Sequence, residues 1–233
     1  MSIDDTTGYA PLPLPDRQDV TEAESLSGGR AFHAKMKTRH TVRDFSERPV
    51  NLEVIETAIA TAGLAPSGAN HQPWHFVAIS DPATKARIRR AAEEEEQKFY
   101  DGGAGDEWLS ALEPIGTGVS KPHLEEAPWL VVIFAQRYGL RPDGSRFKNY
   151  YVPESTGIAT GFLIAALHHA GLYCLTHTPN PMKFLTDICG RPEHEKPIMI
   201  LAVGHAAPDA TVPRAATHKK PLTEILTVNP EEN

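Results

Sequence analysis

Three short segments carry residue types that could do chemistry. RHTVR at 39–43 places the guanidiniums of Arg39 and Arg43, the imidazole of His40 and the hydroxyl of Thr41 close together. Arginine offers planar, bidentate hydrogen bonds that suit a phosphate. PSGANHQPW at 66–74 opens with the small residues Pro66, Ser67, Gly68 and Ala69, where a backbone can approach a flat ligand closely. Read alone, the first is more often a solvated surface turn and the second an ordinary loop. The third set is Glu96, Tyr100 and Lys121. Glu96 and Tyr100 fall on one helix face, and Lys121 follows a glycine-rich break on a segment able to fold back over them. Anion, phenol and cation together suit a zwitterionic amino acid, with Glu96 facing its ammonium and Tyr100 and Lys121 its carboxylate. The plain alternative is a solvated acidic helix face, EEEE at 93–96, beside a surface lysine.

Elements that could position these residues are well signalled. Asn51 is a good helix N-cap, with Val50 and Ile55 as a hydrophobic staple. Ile55, Ile59 and Ala62 continue one apolar face, and Gly63 stops the helix. WHFVAIS at 74–80 reads as a buried strand. Asp81 and Pro82 open a long helix to about Tyr100, with Ile88, Ala92 and Phe99 near one stripe. DGGAGD at 101–106 breaks it, a short helix follows around 107–112, and a loop leads to Lys121. PWLVVIFAQ at 128–136 is the clearest core strand. Pro153 opens a helix to about Ala170 that is apolar nearly all round and is expected to be buried. Its Gly157 and Gly161 suggest close packing in the core or between subunits. Strands follow at 172–176 and 197–205.

The alternation predicts α/β or α+β. The first ~25 residues, Pro-rich and acidic, read as a flexible arm, followed by a short helix at 29–37 and a single domain over 26–233, with a lid within 93–121. No GxGxxG follows a first strand, and no P-loop or GxSxG elbow occurs. The net charge of −7 argues against general nucleic-acid binding. Cys174 and Cys189 read as small buried hydrophobes. No metal site can be assembled: His168 and His169, for instance, are adjacent on a helix and diverge. The absence of any long apolar run points to no membrane span and a soluble, cytoplasmic setting.

Taken jointly, phosphate grip and small-residue turn flanking a capped helix suit FMN, with its phosphate, polyhydroxyl chain and flat ring. From about 39 to 225 the chain resembles the iodotyrosine deiodinase branch of the nitroreductase-like flavoprotein superfamily. The shared stretches are RHTVRDFS, TAGLAPSGANHQPWHFV, EEEEQKFY, the Lys121 region, THTP at 176–179, GRPEHEKP and KKPLTEI. The resemblance implies an α+β three-layer sandwich with a central mixed sheet, in an intertwined homodimer holding FMN between its subunits. It implies flavin contacts at Arg39, His40, Thr41, Arg43, Pro66, Ser67, Gly68, Thr176, His177, Thr178 and Lys219. The Thr176 hydroxyl would face the flavin nitrogen that exchanges hydrogen, the one catalytic assignment. Lys219 and His40 stand where the animal proteins have Arg, and lysine loses the bidentate fork. Glu96, Tyr100 and Lys121, with Trp108 between, match the family's lid, and the Ala69 N–H matches its donor to a substrate phenolate. The implied activity is reductive dehalogenation of a halogenated tyrosine, with electrons from NAD(P)H or a partner reductase. A general nitroreductase or quinone reductase, and a non-catalytic flavin-binding module, are the alternatives.

Overall fold

The structure, a computed structural model, describes residues 8–103 and 105–229. The chain falls into two units, one up to Thr38 and one from Arg39 onward. In the first, helix α1 (Glu22–Lys37) begins seven residues before the expected 29, inside the expected arm. The cause is a capping box that the sequence reading passed over. The Thr21 hydroxyl accepts the Glu24 N–H, and the Glu24 carboxylate accepts the Thr21 N–H at 2.8 Å.

The second unit is built on four antiparallel strands in the order β1–β2–β6–β5. These are β1 (Trp74–Ile79), β2 (Trp129–Gln136), β5 (Tyr173–His177) and β6 (Glu195–Gly204). A separate hairpin pairs β3 (Tyr138–Leu140) with β4 (Arg146–Lys148). The mixed sheet expected from the resemblance reduces to antiparallel ladders plus one parallel bridge, Thr41 to Cys174. Helices α2 (Leu52–Gly63) and α6 (Val152–His169) cover one face. Helices α3 (Pro82–Lys98), α5 (His123–Glu126) and α7 (Phe184–Ile188) cover the other. Two further short helices, α4 (Asp106–Leu112) and α8 (Arg214–Thr217), lie outside this sandwich.

Strand β2 shows why the sheet must be sandwiched. Leu130, Val132 and Phe134 enter the cluster with Ile88, Leu124 and Leu185, while Val131 and Ile133 enter the one with Ile55, Leu163 and Leu167. Its unbroken apolar run is therefore two alternating faces, each covered by helices. Strand β1 is at the edge and only half-buried, rather than buried as expected. Helix α6 also departs from expectation. Thr156, Ala159, Leu163 and Leu167 are buried, yet Ile158 and Phe162 on the other side are 42% and 41% exposed. A side chain added at Gly157 or Gly161 would meet nothing in the chain, so core packing does not require these glycines.

The helix caps read from sequence are in place. Asn51 accepts the Glu53 N–H at 2.9 Å, and Asp81 accepts the Thr84 N–H at 2.8 Å. Segment 39–46 is clipped between β5 and the chain after β6. Thr41 bridges Cys174, Ser46 N–H donates to His205 O, and Ala207 N–H donates to Asp44 O. The Phe45 ring in this clip sits over the bare backbone of Gly204, where a Cβ would lie 3.0 Å from Phe45 Cδ1 and 2.5 Å from Pro128 Cδ. Gly204→Ala is therefore expected to cost about 1–3 kcal/mol. Thermal unfolding should show a midpoint lowered by several degrees; an unchanged midpoint would mean that Phe45 and Pro128 move aside freely.

Candidate functional site

A pocket of ≈260 Å³ opens between the end of α3, the segment 108–121 and the end of β5. Its size is near the ~300 Å³ lower end of small-ligand pockets. Seven of the residues singled out from sequence line it: Arg43, Glu96, Tyr100, Lys121, Thr176, His177 and Thr178. They come together for identifiable reasons. The parallel bridge between Thr41 and Cys174 runs the RHTVR segment alongside β5, bringing Arg43 beside Thr176. Asp81 starts α3 so that Ile88 and Ala92 face the core, and the helix then continues beyond the sheet to present Glu96 and Tyr100. The chain turns back through Phe99–Gly103, where Gly102 takes φ +123, a conformation closed to most side chains. Trp108 of α4 then packs edge-on against Phe99, centroids 4.8 Å apart.

At the centre is an ion pair. Lys121 Nζ lies 3.0 Å from Glu96 Oε2 and also donates to Thr117 Oγ1 (3.1 Å) and Gly118 O (2.6 Å). Lys121 is only 3% exposed. Tyr100 donates its hydroxyl to Thr117 O at 3.1 Å. Burial and the Glu96 charge both raise the Tyr100 pKa, so it remains a protonated donor. Thr117, which serves both Lys121 and Tyr100, was not singled out from sequence; nothing in a lone loop threonine signals the role.

Strand alternation sorts the THT turn. Thr176 and Thr178 are exposed to the pocket side, whereas His177 is buried against Glu96, with Nε2 4.0 Å from Oε1. Its ring meets His123 edge-on, centroids 5.7 Å apart. Burial first, then Lys121 and His123, depress the His177 pKa to about 3. Burial first, then Lys121, Arg43 and Arg89, depress that of His123 to about 4. Both imidazoles are thus neutral, and the Nε2 atom of each is buried without a hydrogen-bond partner. His123 is a second residue that the sequence reading missed.

The other expected contacts do not line this pocket. Arg39, His40 and Thr41 are half-buried in the clip. No carboxylate forms a salt bridge with Arg39 or Arg43 among the described residues, and burial lowers the Arg43 pKa despite nearby Asp44. Two half-buried, unneutralised guanidiniums fit an anionic group such as a phosphate. The turn at Pro66–Ala69 is held against the start of α6, with Gly68 N–H donating to Ser155 Oγ at 3.2 Å. Gly68 is small because of its own chain: a Cβ would stand 2.5 Å from Tyr150 O. Ser67 Oγ accepts the Gln72 N–H at 2.9 Å. Ala69 takes φ +51, a strained value for a residue with a side chain, and its N–H has no partner among the described residues. Lys219 is exposed and donates to Ala216 O. No group of metal-ligating side chains is found among the described residues, nor any helix long and apolar enough to cross a membrane.

Comparison with known proteins identifies the family. The model of the nitroreductase family matches residues 36–205. The chain belongs to the nitroreductase family. Within it, the chain is 54% identical over 190 residues to an iodotyrosine deiodinase of Haliscomenobacter hydrossis, covering 82% of this chain and 86% of that one. It is 41% identical over 206 residues to human iodotyrosine deiodinase 1, covering 88% and 71%. A crystal structure of oxidised iodotyrosine deiodinase bound to FMN and 3-iodo-L-tyrosine superposes with a TM-score of 0.70 at 30% identity, over 86% of this chain and all of that one. These matches put the chain in the iodotyrosine deiodinase branch of the nitroreductase family.

The two neutral histidines give this site a pH signature. Their folded values of about 4 and about 3 lie below the ordinary 6.5. Below about pH 6.5 the unfolded chain binds protons that the folded chain refuses, so the stability these two groups contribute is full above about pH 6.5 and is lost as pH falls toward 3. Urea unfolding across the window should show this decline, and a His123→Gln, His177→Gln double variant should show a flatter one. Equal slopes would place the acid sensitivity elsewhere.

Proposed function

We propose that this protein is an FMN-dependent oxidoreductase that reductively dehalogenates a halogenated tyrosine. The observation that carries this reading is the Glu96–Lys121 pair, with Tyr100 beside it, inside a pocket next to Arg43 and Thr176. A zwitterion brings an ammonium for Glu96 and a carboxylate for Lys121 and Tyr100, so each buried charge keeps an opposite neighbour. The relatives' printed names and the ligands of the matched crystal structure support the same substrate class.

Reduced FMN, when bound, would supply the electrons: two electrons and one proton would replace the carbon–halogen bond with carbon–hydrogen and release halide. The chain's own residues bind and orient. Arg39 and Arg43 suit the phosphate, with Thr41 and His40 beside them and Lys219 as a further cation. Pro66, Ser67 and Gly68 would form the turn beside the flavin, and the unpartnered Ala69 N–H would be a donor for the substrate phenolate. Thr176 and Thr178 offer hydroxyls from the exposed side of β5, Thr176 toward the reacting part of the flavin, with His177 behind them against Glu96. Closure of the lid over 93–121 excludes water. The Pro66–Ala69 turn lies outside the lid pocket, so the reading includes a homodimer in which the exposed apolar face of α6 is the subunit contact. Reducing equivalents come from NAD(P)H or a partner reductase.

The test is titration of the FMN-loaded protein with 3-iodotyrosine, followed by flavin absorbance or fluorescence. Lys121→Ala and Glu96→Gln should each weaken binding about tenfold or more, the ~1.5–3 kcal/mol of a hydrogen bond to a charged group, while FMN content stays constant. Unchanged halotyrosine affinity in both variants would refute the amino-acid clamp.

A further inference from the structure

One stripe of α3 and the turn after it reaches the segment 117–127 residue by residue. Lys85 Nζ donates to the carbonyls of Glu125 (2.9 Å) and Ala127 (2.7 Å). Arg89 bonds Glu93 through Nε (2.9 Å) and Glu125 through a terminal nitrogen (3.1 Å). Glu93 meets Ser120 and Lys121, Glu96 meets the Lys121 ammonium, and Tyr100 meets Thr117 O. Positions 85, 89, 93, 96 and 100 are spaced at three and four residues, so they form one helix face.

Glu93 differs from its neighbours on this seam because it holds the backbone of Lys121 and not its ammonium. A single oxygen, Oε1, accepts the Lys121 N–H at 2.7 Å, the Ser120 hydroxyl at 3.4 Å and Arg89 Nε at 2.9 Å. Burial opposes the Glu93 charge, but these donors outweigh it and hold the carboxyl below its ordinary range. The fold of the segment does not depend on Glu93 alone. Lys85 independently ties down α5, and Leu124 is fully buried in the core. What Glu93 adds is the location of the Lys121 amide nitrogen, bonded to the Cα from which the long side chain starts.

We propose that Glu93 is a positioning residue for Lys121, fixing its backbone so that its ammonium meets Glu96 and the carboxylate of a bound amino acid. Arg89 fixes Glu93 in turn. This role rests on the amino-acid clamp proposed for the pocket, and it predicts an effect selective for zwitterionic ligands, which a merely structural residue would not produce.

The test measures dissociation constants of 3-iodotyrosine and of 2-iodophenol, which lacks the zwitterion, on the FMN-loaded full chain. Wild type, Glu93→Ala, Glu93→Gln and Lys121→Ala are compared, with thermal midpoints alongside. Lys121→Ala and Glu93→Ala should weaken 3-iodotyrosine about tenfold and 2-iodophenol by less than about twofold. Glu93→Gln keeps an acceptor for the Lys121 N–H and should fall between wild type and Glu93→Ala. If Lys121→Ala separates the two ligands but the Glu93 variants weaken both equally or neither, the positioning role is overturned and the clamp stands. If Lys121→Ala does not separate them, the clamp fails and the role of Glu93 fails with it. Should Glu93→Ala not fold, Glu93→Gln decides by the same comparison.

Discussion

An ammonium group taken almost wholly out of water must have every proton accepted, and Lys121 is that group. An unpaired charge at such a depth costs several kcal/mol. Its three donors find Glu96, Thr117 and Gly118, which is a full complement for a lysine. Much of the surrounding structure follows from this requirement. Helix α3 must run beyond the core residues Ile88 and Ala92 to deliver Glu96, and the chain must double back at Gly102 to bring Thr117 and Gly118 over the ammonium. The same positive charge, added to burial, keeps His123 and His177 neutral.

A satisfied ion pair is a poor source of stability, since its Coulomb energy largely offsets the loss of hydration. It can be a good source of discrimination. On the proposed reading, binding is an exchange in which a ligand replaces acceptors that Lys121 already has. A ligand carrying only a carboxylate would draw Lys121 and leave Glu96 without its cation. A ligand carrying only an ammonium would do the reverse. A zwitterion supplies both charges at once and leaves neither side stranded, so the pair favours amino acids by penalising the alternatives.

The elements and residues legible in the sequence were those with local causes. The Asn51 and Asp81 caps rest on contacts within a few residues, and the helix starting near Pro153 and the strand at 129–136 are each marked by their own local residue pattern. Glu96 and Tyr100 were legible as one helix face from their spacing, and Lys121 joined them through the resemblance to the family's lid. The hairpin of β3 and β4 was not, because strands of three residues carry too little alternation to register. Glu93 and His123 escaped because each acts on a group distant in sequence, and Thr117 because a lone loop threonine carries no signal. The spare surface of α6 illustrates a subtler limit. Its composition announced burial on all sides, whereas the chain itself buries one side only.

That exposed side bears on how the proposed flavin site is completed. The Pro66–Ala69 turn is fastened to α6 through Gly68 and Ser155, and its glycine is fitted to the backbone of Tyr150 just before the helix. Turn and helix are therefore tied to each other. Ile158 and Phe162 lie exposed on this helix, and Gly157 and Gly161 leave room for another backbone to come close. Packing a second copy there would remove apolar surface from water and would at the same time set the partner's atoms beside this turn. On the proposed reading, the positive φ of Ala69 and its N–H, unclaimed by its own chain, would serve a ligand enclosed by the assembled pair. On this account each protomer carries a lid pocket and a donor turn that it does not bring together itself. On the proposed reading, dimerisation would be a condition of the chemistry, because the residues it calls on are divided between two faces of one fold.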